Sequence, residues 1–420
     1  RPSTGTIFTG HHPRTLGLYE EMFDQLPEEF VTIAERFKAK GYKTYGVTSN
    51  PNVNSFFGFS QGFDKYEDAG MLFKWMEQAN KEISKELLHL QLETATTITN
   101  RTLDLINSVK LSESKQPYFL IVTYIDSHKP YQAPSKYKKF TEKHNSRTSQ
   151  YDAGVQYADY EIGRLLKEMK TQGLLDNTTI IFTSDHGEGL KSHPKIPNSH
   201  GHGLTLYDST VRVPLFVHHP SLKANVISQL NSSIDLMPTW IELFALKADS
   251  TLPGVSIAPW ISGFGTVQHP GVAFLETEMK AHDKIGIRTN THSFIINNDV
   301  KLYQEEGIHE NYNLRGPERQ AFEQSPFEEL YLRDDLSTFE LYTKNNIIET
   351  DAKIATELRN KINDFLAQNK YREPQNRSPE DALTLPNGKN VFPYAGKKIV
   401  DIDENTRKSL EQLGYLENDK

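Results

Sequence analysis

Short apolar runs alternate with amphipathic segments along the first two thirds of the chain. Residues 118–125 and 178–183 are rich in apolar and β-branched side chains, as strands buried on both faces of a parallel sheet are. Residues 29–37 and 151–172 instead carry apolar side chains at the three-to-four spacing of a helix. This alternation predicts an α/β fold with a mostly parallel central sheet covered by helices.

The pattern changes after about residue 253. Three short β-rich runs, residues 274–278, 284–289 and 293–296, follow one another closely, which is typical of an antiparallel sheet. A helix is predicted near residues 352–368. We therefore expect an α/β domain at 1–265 and a smaller α+β subdomain with a tail at 266–420.

Composition excludes several classes of protein. The chain has 47 basic and 55 acidic residues, a net charge of −8, and no Lys/Arg-rich run, which argues against a nucleic-acid partner. It contains no cysteine, so disulfides, cysteine–zinc sites and a cysteine nucleophile are excluded within these residues. No apolar run approaches the roughly 20 residues that span a bilayer. Oligomeric state and localisation stay open.

The most informative motif directly follows the predicted strand at 178–183. There Asp185 and His186 stand side by side, at the carboxyl end of a strand, where open α/β sheets bind ligands. Asp offers oxygen and His offers nitrogen to a metal ion, and Gly187 lets the backbone turn sharply round it. The alternative is a helix-capping Asp with an incidental His, but the strand before the pair favours a metal site.

Other polar motifs have two interpretations each. His128 follows the strand at 118–125 and can protonate a leaving oxygen, hold an anionic oxygen or simply cap a loop. His193, His200 and His202 lie within ten residues beside glycines, so they can approach a ligand closely or form a zinc site. The hydroxylated residues of 2–13 suit a helix N-terminus that binds an anion, although an ordinary N-cap is the preferred interpretation.

Several of these segments belong to one ordered series of short motifs along nearly the whole chain. The series includes Arg1-Pro2-Ser3-Thr4 with Thr9-Gly10, His128-Lys129-Pro130-Tyr131, Ser184-Asp185-His186-Gly187-Glu188, Leu206-Tyr207-Asp208 with Arg212-Val213-Pro214, and Glu329-Leu330-Tyr331. Taken together, they resemble the sulfatase family of the alkaline-phosphatase superfamily. The resemblance implies an alkaline-phosphatase-like α/β/α sandwich with a smaller C-terminal α+β subdomain.

The resemblance also implies a mechanism and a metal. In this family a formylglycine or Thr nucleophile attacks sulfur or phosphorus beside a divalent cation, calcium in typical members, with Mn²⁺, Mg²⁺ or Zn²⁺ as alternatives. Asp185 and His186 match two metal ligands. His128 matches a histidine that contacts the transferring group or the leaving oxygen, and His202 falls near a lysine that binds the same anion.

This sequence departs from the family pattern in three places. The nucleophile is expected just before Arg1, together with paired aspartates on a preceding strand. Thr4 stands where the family has an arginine, and Asn50 lies where a Lys-x-His is usual, so we expect Thr4 and Asn50 to line the site as neutral groups. The loss of two cationic groups favours a phosphodiesterase-like or phosphonate-ester-like relative.

The function expected from these residues is metal-dependent hydrolysis of sulfate esters, with a small molecule or a glycan as the ester. Hydrolysis of a phosphate diester or phosphonate monoester is the first alternative. A non-catalytic binding protein that keeps the fold is the alternative from another class. Relatives of this kind are often periplasmic or secreted, which is analogy only.

Overall fold

The described part of the chain divides into two compact units. The computed structural model describes residues 1–19, 24–68, 94–129, 131, 133–140, 147–190, 201–278, 283–298, 326–333, 346–372, 383–384 and 390–391. The first unit contains the described residues of 1–25, 181–216 and 223–397, and the second contains those of 26–180 and 217–222. The predicted domain boundary at residue 265 stays a prediction.

Helices and strands alternate along the described residues, as the sequence pattern predicts. The helices are α1 (Pro2–Thr9), α2 (Pro13–Leu16), α3 (Ile33–Ala39), α4 (Ala95–Ser108), α5 (Arg147–Thr171), α6 (Asp208–Val211), α7 (Leu236–Leu243), α8 (Ala258–Ser262) and α9 (Ala352–Gln368). The strands are β1 (Lys43–Thr48), β2 (Lys65–Glu67), β3 (Tyr118–Thr123), β4 (Ile180–Thr183), β5 (Leu215–His218), β6 (Val272–Thr277), β7 (Lys284–Thr289), β8 (His292–Asn297), β9 (Glu328–Leu332), β10 (Leu383–Thr384) and β11 (Asn390–Val391). No helix among the described residues is long and apolar enough to cross a bilayer.

The second unit is a parallel sheet with helices on both faces. Strand β1 lies in the middle and pairs in parallel with β2 and with β3. Tyr45 and Val47 of β1 pack against Ile98 of α4 and Leu165 of α5 on one face. On the other face, Phe37 of α3 stacks on the ring of a β3 phenylalanine, with centroids 4.5 Å apart. This arrangement confirms the predicted α/β architecture.

Strands β4 and β5 form a separate two-stranded sheet among the described residues. The sequence predicts that β4 is buried on both faces, and that expectation is wrong at Phe182. Phe182 is 43% exposed and Phe216 is 65% exposed. Their rings pack on each other, with centroids 5.9 Å apart.

An antiparallel sheet forms the C-terminal part of the first unit, as predicted. Its strands follow the order β6-β7-β8-β9, and all three pairings are antiparallel. One face packs on helix α9, where Ile287, Phe294 and Leu330 meet Leu358 and Ile362 in a buried cluster. The two-residue strands β10 and β11 pair with each other.

Candidate functional site

The turn at residues 184–188 begins where β4 ends, so its side chains leave the carboxyl edge of that strand. Ser184 Oγ donates a hydrogen bond to the His186 carbonyl oxygen at 2.7 Å. The His186 amide donates to Asp185 Oδ1 at 3.0 Å. Because Oδ1 is held by the backbone, Asp185 keeps Oδ2 as the oxygen that can take a ligand.

Hydrogen bonds from Gly187 and Gly189 join this turn to two neighbouring segments. The Gly187 amide donates to the Thr210 carbonyl oxygen at 2.8 Å, and the Gly189 amide donates to the Gly201 carbonyl oxygen at 2.9 Å. A Cβ atom on Gly187 would lie 2.1 Å from the Ser209 carbonyl oxygen, a distance that real Cβ atoms do not show. The glycine is therefore required by close backbone approach.

The imidazole of His186 is oriented for ligand binding. Its Nδ1 lies 2.8 Å from the Gly187 carbonyl oxygen, which can only accept, so Nδ1 carries the hydrogen and Nε2 is left with the lone pair. That Nε2 lies 3.6 Å from Asp185 Oδ2. Burial raises the pKa of Asp185, but nearby positive charge, that of a protonated His186 first, outweighs it and holds the pKa below its usual value. At pH values where His186 has lost that proton, the pair presents an ionised carboxylate and a nitrogen lone pair side by side.

His202 completes a compact polar cluster at the turn. Its ring stacks on the His186 ring, with centroids 3.8 Å apart and an angle of 25° between the planes. Its Nδ1 lies 3.6 Å from Oε2 of Glu188, a side chain that is almost fully buried. The structure thus brings together Asp185, His186 and His202, although 16 positions of sequence separate the last two.

Asp185 and His186 fit two positions of a divalent-cation site. Two ligands at right angles, each about 2.3 Å from an ion, are about 3.2 Å apart, close to the observed 3.6 Å. The part of the chain that the structure describes contains no group of three or more His, Cys, Asp or Glu side chains able to hold a metal. A hard divalent ion takes about six ligands, so the remainder would come from water, substrate or groups outside the described residues. The predicted His193 and His200 lie outside them.

A cavity of about 870 Å³ opens beside the turn within the first unit. Asp185, His186 and His202 line it. The predicted Thr4 lies in helix α1 and is partly exposed, and it does not line the cavity, although its neighbour Ser3 does. The cavity is the natural binding space for a ligand of the turn.

Asn50 and His128, the two remaining predicted site residues, belong to the second unit. Oδ1 of Asn50 accepts a hydrogen bond from the Asn52 amide at 2.9 Å, which leaves its NH₂ group as a neutral donor. Nδ1 of His128 lies 2.6 Å from the Lys129 carbonyl oxygen, so this nitrogen carries the hydrogen and Nε2 has the lone pair. Both therefore have side-chain atoms suited to their predicted roles, which stay predictions.

Sequence reasoning missed two charged pairs at the cavity, of which Glu276, Asp208 and Arg288 line it. Arg14 Nε lies 2.9 Å from Glu276 Oε2, and both side chains are nearly buried. Arg288 forms a buried ion pair with Asp208. The available signal was the alternation of residues 284–289, in which basic side chains alternate with isoleucines; such a strand has one apolar face and one charged face.

His12 is a further cavity residue with an unusual environment. Burial, the Arg14 guanidinium and a neighbouring histidine lower the pKa of His12 to about 4. Its ring lies edge-on to Phe365 of α9, with centroids 4.8 Å apart. At neutral pH the cavity therefore contains an uncharged imidazole, which can bind a hydroxyl group without attracting an anion.

Comparison with known proteins identifies a matching family model. A family model described as Sulfatase matches residues 1–246, more than half of the 420 residues. The uncharacterized sulfatase YdeN of Escherichia coli K12 is 25% identical over 305 residues, which cover 62% of this chain and 52% of that protein. The chain thus spans about half the length of this relative.

Two solved structures share the fold. The phosphonate monoester hydrolase of Silicibacter pomeroyi superposes with a TM-score of 0.64 at 15% identity, covering 94% of this chain and 90% of that chain. BT4656, in complex with its substrate D-glucosamine-2-N,6-O-disulfate, superposes with a TM-score of 0.61 at 16% identity, covering 90% of both chains. At these identities the likeness concerns the fold alone, and it agrees with the predicted alkaline-phosphatase-like architecture.

Proposed function

The chain belongs to the sulfatase family, and from that membership we propose that the protein hydrolyses sulfate esters. The observation that carries the proposal is the turn at 184–188, which presents an ionised Asp185 and the Nε2 lone pair of His186 to a cavity of about 870 Å³. An ester sulfate carries its negative charge on the oxygens round sulfur, so its hydrolysis needs positive charge and hydrogen-bond donors at those oxygens.

We assign Asp185 and His186 as two ligands of one divalent cation. Calcium is the first expectation from the family, while the imidazole nitrogen also suits Mn²⁺ or Zn²⁺. The bound ion would neutralise charge on the transferring group. His202 stacks on His186 and faces the same cavity, so it is placed to donate a hydrogen bond to an anionic oxygen of the substrate.

The remaining roles follow from the family pattern. His128, when protonated at both ring nitrogens, is proposed to pass the Nε2 proton to the leaving alkoxide and to keep the Nδ1 hydrogen, which is held by a backbone carbonyl. The NH₂ group of Asn50 is proposed as a neutral donor in place of a cationic side chain of the family, whereas Thr4, which does not line the cavity, is given no role in binding. Neutral donors stabilise a sulfate oxygen less than a guanidinium does, so reliance on the metal should be greater here.

A sulfated saccharide is the proposed substrate class. BT4656, which shares the fold, is bound to a disulfated glucosamine. Over residues 227–236 the cavity is lined by isoleucines and leucines together with serine, glutamine and asparagine, and the polar side chains suit sugar hydroxyl groups. Phosphoester hydrolysis is the second candidate, favoured by the neutral Thr4 and Asn50. It has less support, because the family model that matches this chain is that of the sulfatases.

The test uses protein expressed from the full-length gene and compares an aryl sulfate with a bis-aryl phosphate, with added Ca²⁺ or Mn²⁺ and after EDTA. We expect sulfate turnover that EDTA abolishes and that Asp185→Ala lowers by at least about 100-fold. Asp176→Ala, at an exposed carboxylate, is the matched control and should leave turnover unchanged. Full activity of Asp185→Ala on both esters would show that the metal assignment is wrong. Binding of a sulfated sugar without turnover would favour the non-catalytic alternative.

A further inference from the structure

The face of the C-terminal sheet that lies away from helix α9 is buried and carries charged and polar side chains beside Ile295. On β7, Lys284 and Arg288 alternate with isoleucines that face α9, and on β9 Glu329 alternates with Leu330 in the same way. Lys284, Arg288 and Glu329 are each at most 4% exposed. Buried charges are costly unless they are paired, so this face must be matched by polar groups.

A carboxylate at the centre of this face is held by donors from the sheet itself. Asn297 Nδ2 donates to Glu329 Oε1 at 2.8 Å, and the Tyr331 hydroxyl donates to Glu329 Oε2. Lys284 Nζ in turn donates to Asn297 Oδ1 at 2.9 Å. The sheet therefore fixes the position of the Glu329 carboxylate.

The same carboxylate accepts a bond from outside the sheet. The Tyr207 hydroxyl lies 2.9 Å from Oε2 and 3.1 Å from Oε1 of Glu329. The Tyr207 ring packs with Leu206 against Ile295 and Tyr331 in a buried cluster. This contact joins residues 122 positions apart in sequence.

Tyr207 is linked to the turn at 184–188 by short hydrogen bonds. Both the amide and the hydroxyl of Thr210 donate to the Tyr207 carbonyl oxygen at 2.9 Å. The Thr210 carbonyl oxygen then accepts the Gly187 amide at 2.8 Å. A continuous chain of contacts thus runs from Glu329 through Tyr207 and Thr210 to the turn that carries Asp185.

We propose that Glu329 is a positioning residue, which holds the turn at 184–188 in place through the Tyr207 hydroxyl. Its carboxylate touches none of the proposed metal ligands and acts only through this chain of contacts. The Asp208–Arg288 ion pair supports the same segment one residue further along. The proposal rests on the proposed function only for its consequence on turnover, since the positioning itself is independent of activity.

The test compares Tyr207→Phe with Tyr331→Phe. Each variant removes one phenolic hydrogen bond to Glu329, but only Tyr207 belongs to the segment that holds Gly187. Hydrogen exchange of the Gly187 amide is measured without metal, together with the melting temperature. A hydrogen bond to a charged group corresponds to roughly 10- to 100-fold in a local opening equilibrium. We therefore expect Tyr207→Phe to speed exchange at Gly187 by about that factor.

Tyr331→Phe is expected to leave exchange at Gly187 within about 2-fold of the unmodified chain, because Asn297 and Tyr207 still hold the Glu329 carboxylate. Both variants are expected to lower the melting temperature. Turnover of an aryl sulfate should fall with Tyr207→Phe while Tyr331→Phe keeps it, at equal loss of stability. Unchanged exchange at Gly187 in Tyr207→Phe, or equal changes in both variants, would overturn the positioning role. If the unmodified protein turns over no ester, the proposed function fails, and the exchange data still decide this proposal.

Discussion

The substitution Gly187→Ala tests how closely the turn at 184–188 is fitted to its surroundings. The new Cβ atom would lie 2.1 Å from the Ser209 carbonyl oxygen, more than 1 Å short of ordinary contact, which begins at 3.4 Å. The clash is with backbone, so no side-chain rotation can relieve it. The turn must move away from residue 209, which stretches the 2.8 Å bond from Gly187 to Thr210.

The size of the effect follows from this displacement. Overpacking a well-fitted site costs about 1–3 kcal/mol of stability. Moving a reacting group by about 1 Å can cost about 100-fold in rate. We therefore expect Gly187→Ala to fold with a lower melting temperature and to lose about 100-fold in kcat for an aryl sulfate. Both are measured on the same purified samples.

Gly163→Ala is the matched control, since a Cβ there meets nothing within 4 Å. Gly163 lies in helix α5, where alanine is favoured over glycine by about 1 kcal/mol, so this variant should melt higher and keep its kcat. If Gly187→Ala retains the melting temperature and a kcat within about 2-fold of the unmodified protein, the argument from backbone contact is refuted.

Two further predictions concern stability. Burial raises the pKa of Asp126 from 3.8 to about 7. The stabilisation that this shift gives the folded state is fully present below pH 3.8, where Asp126 is protonated, and is lost as the pH rises through about 7. Asp126→Asn keeps an acceptor for the Ala95 amide and should flatten melting temperature against pH; an unchanged slope contradicts this. Breaking the nearly buried pair of Glu276 with Arg14 by Glu276→Ala should cost about 3 kcal/mol in urea unfolding, whereas Glu113→Ala, at an exposed pair, should cost less than about 1 kcal/mol. Equal losses would refute the burial argument.

Local features of the fold were predictable because their signals lie within a few residues. The predicted strand at 284–289 has the bounds of β7, and the predicted helix at 352–368 has the bounds of α9. Each combines a regular hydrophobic period with a clear end signal. The pair Asp185 and His186 was found for the same reason, since it directly follows a strand.

Contacts between distant segments could not be predicted in this way. A glutamate in a short strand suggests a solvated face, yet Glu329 is 1% exposed and bonded to a tyrosine 122 positions earlier. The stacking of His202 on His186 is likewise absent from any local pattern. Such pairs depend on how helices and strands pack together. The residue pattern within one segment does not show which distant residue it will contact.

These long-range contacts bear on what the C-terminal sheet does. Tyr207 and Asp208 lie before residue 265, and their partners Glu329 and Arg288 lie after it, all within the first unit. Without the sheet, Asp208 would lose its buried cationic partner, and breaking such a pair costs about 3–5 kcal/mol. The segment that holds Gly187 would then be free to shift. The sheet is therefore better understood as part of the support of the candidate site than as an accessory to a self-sufficient α/β domain.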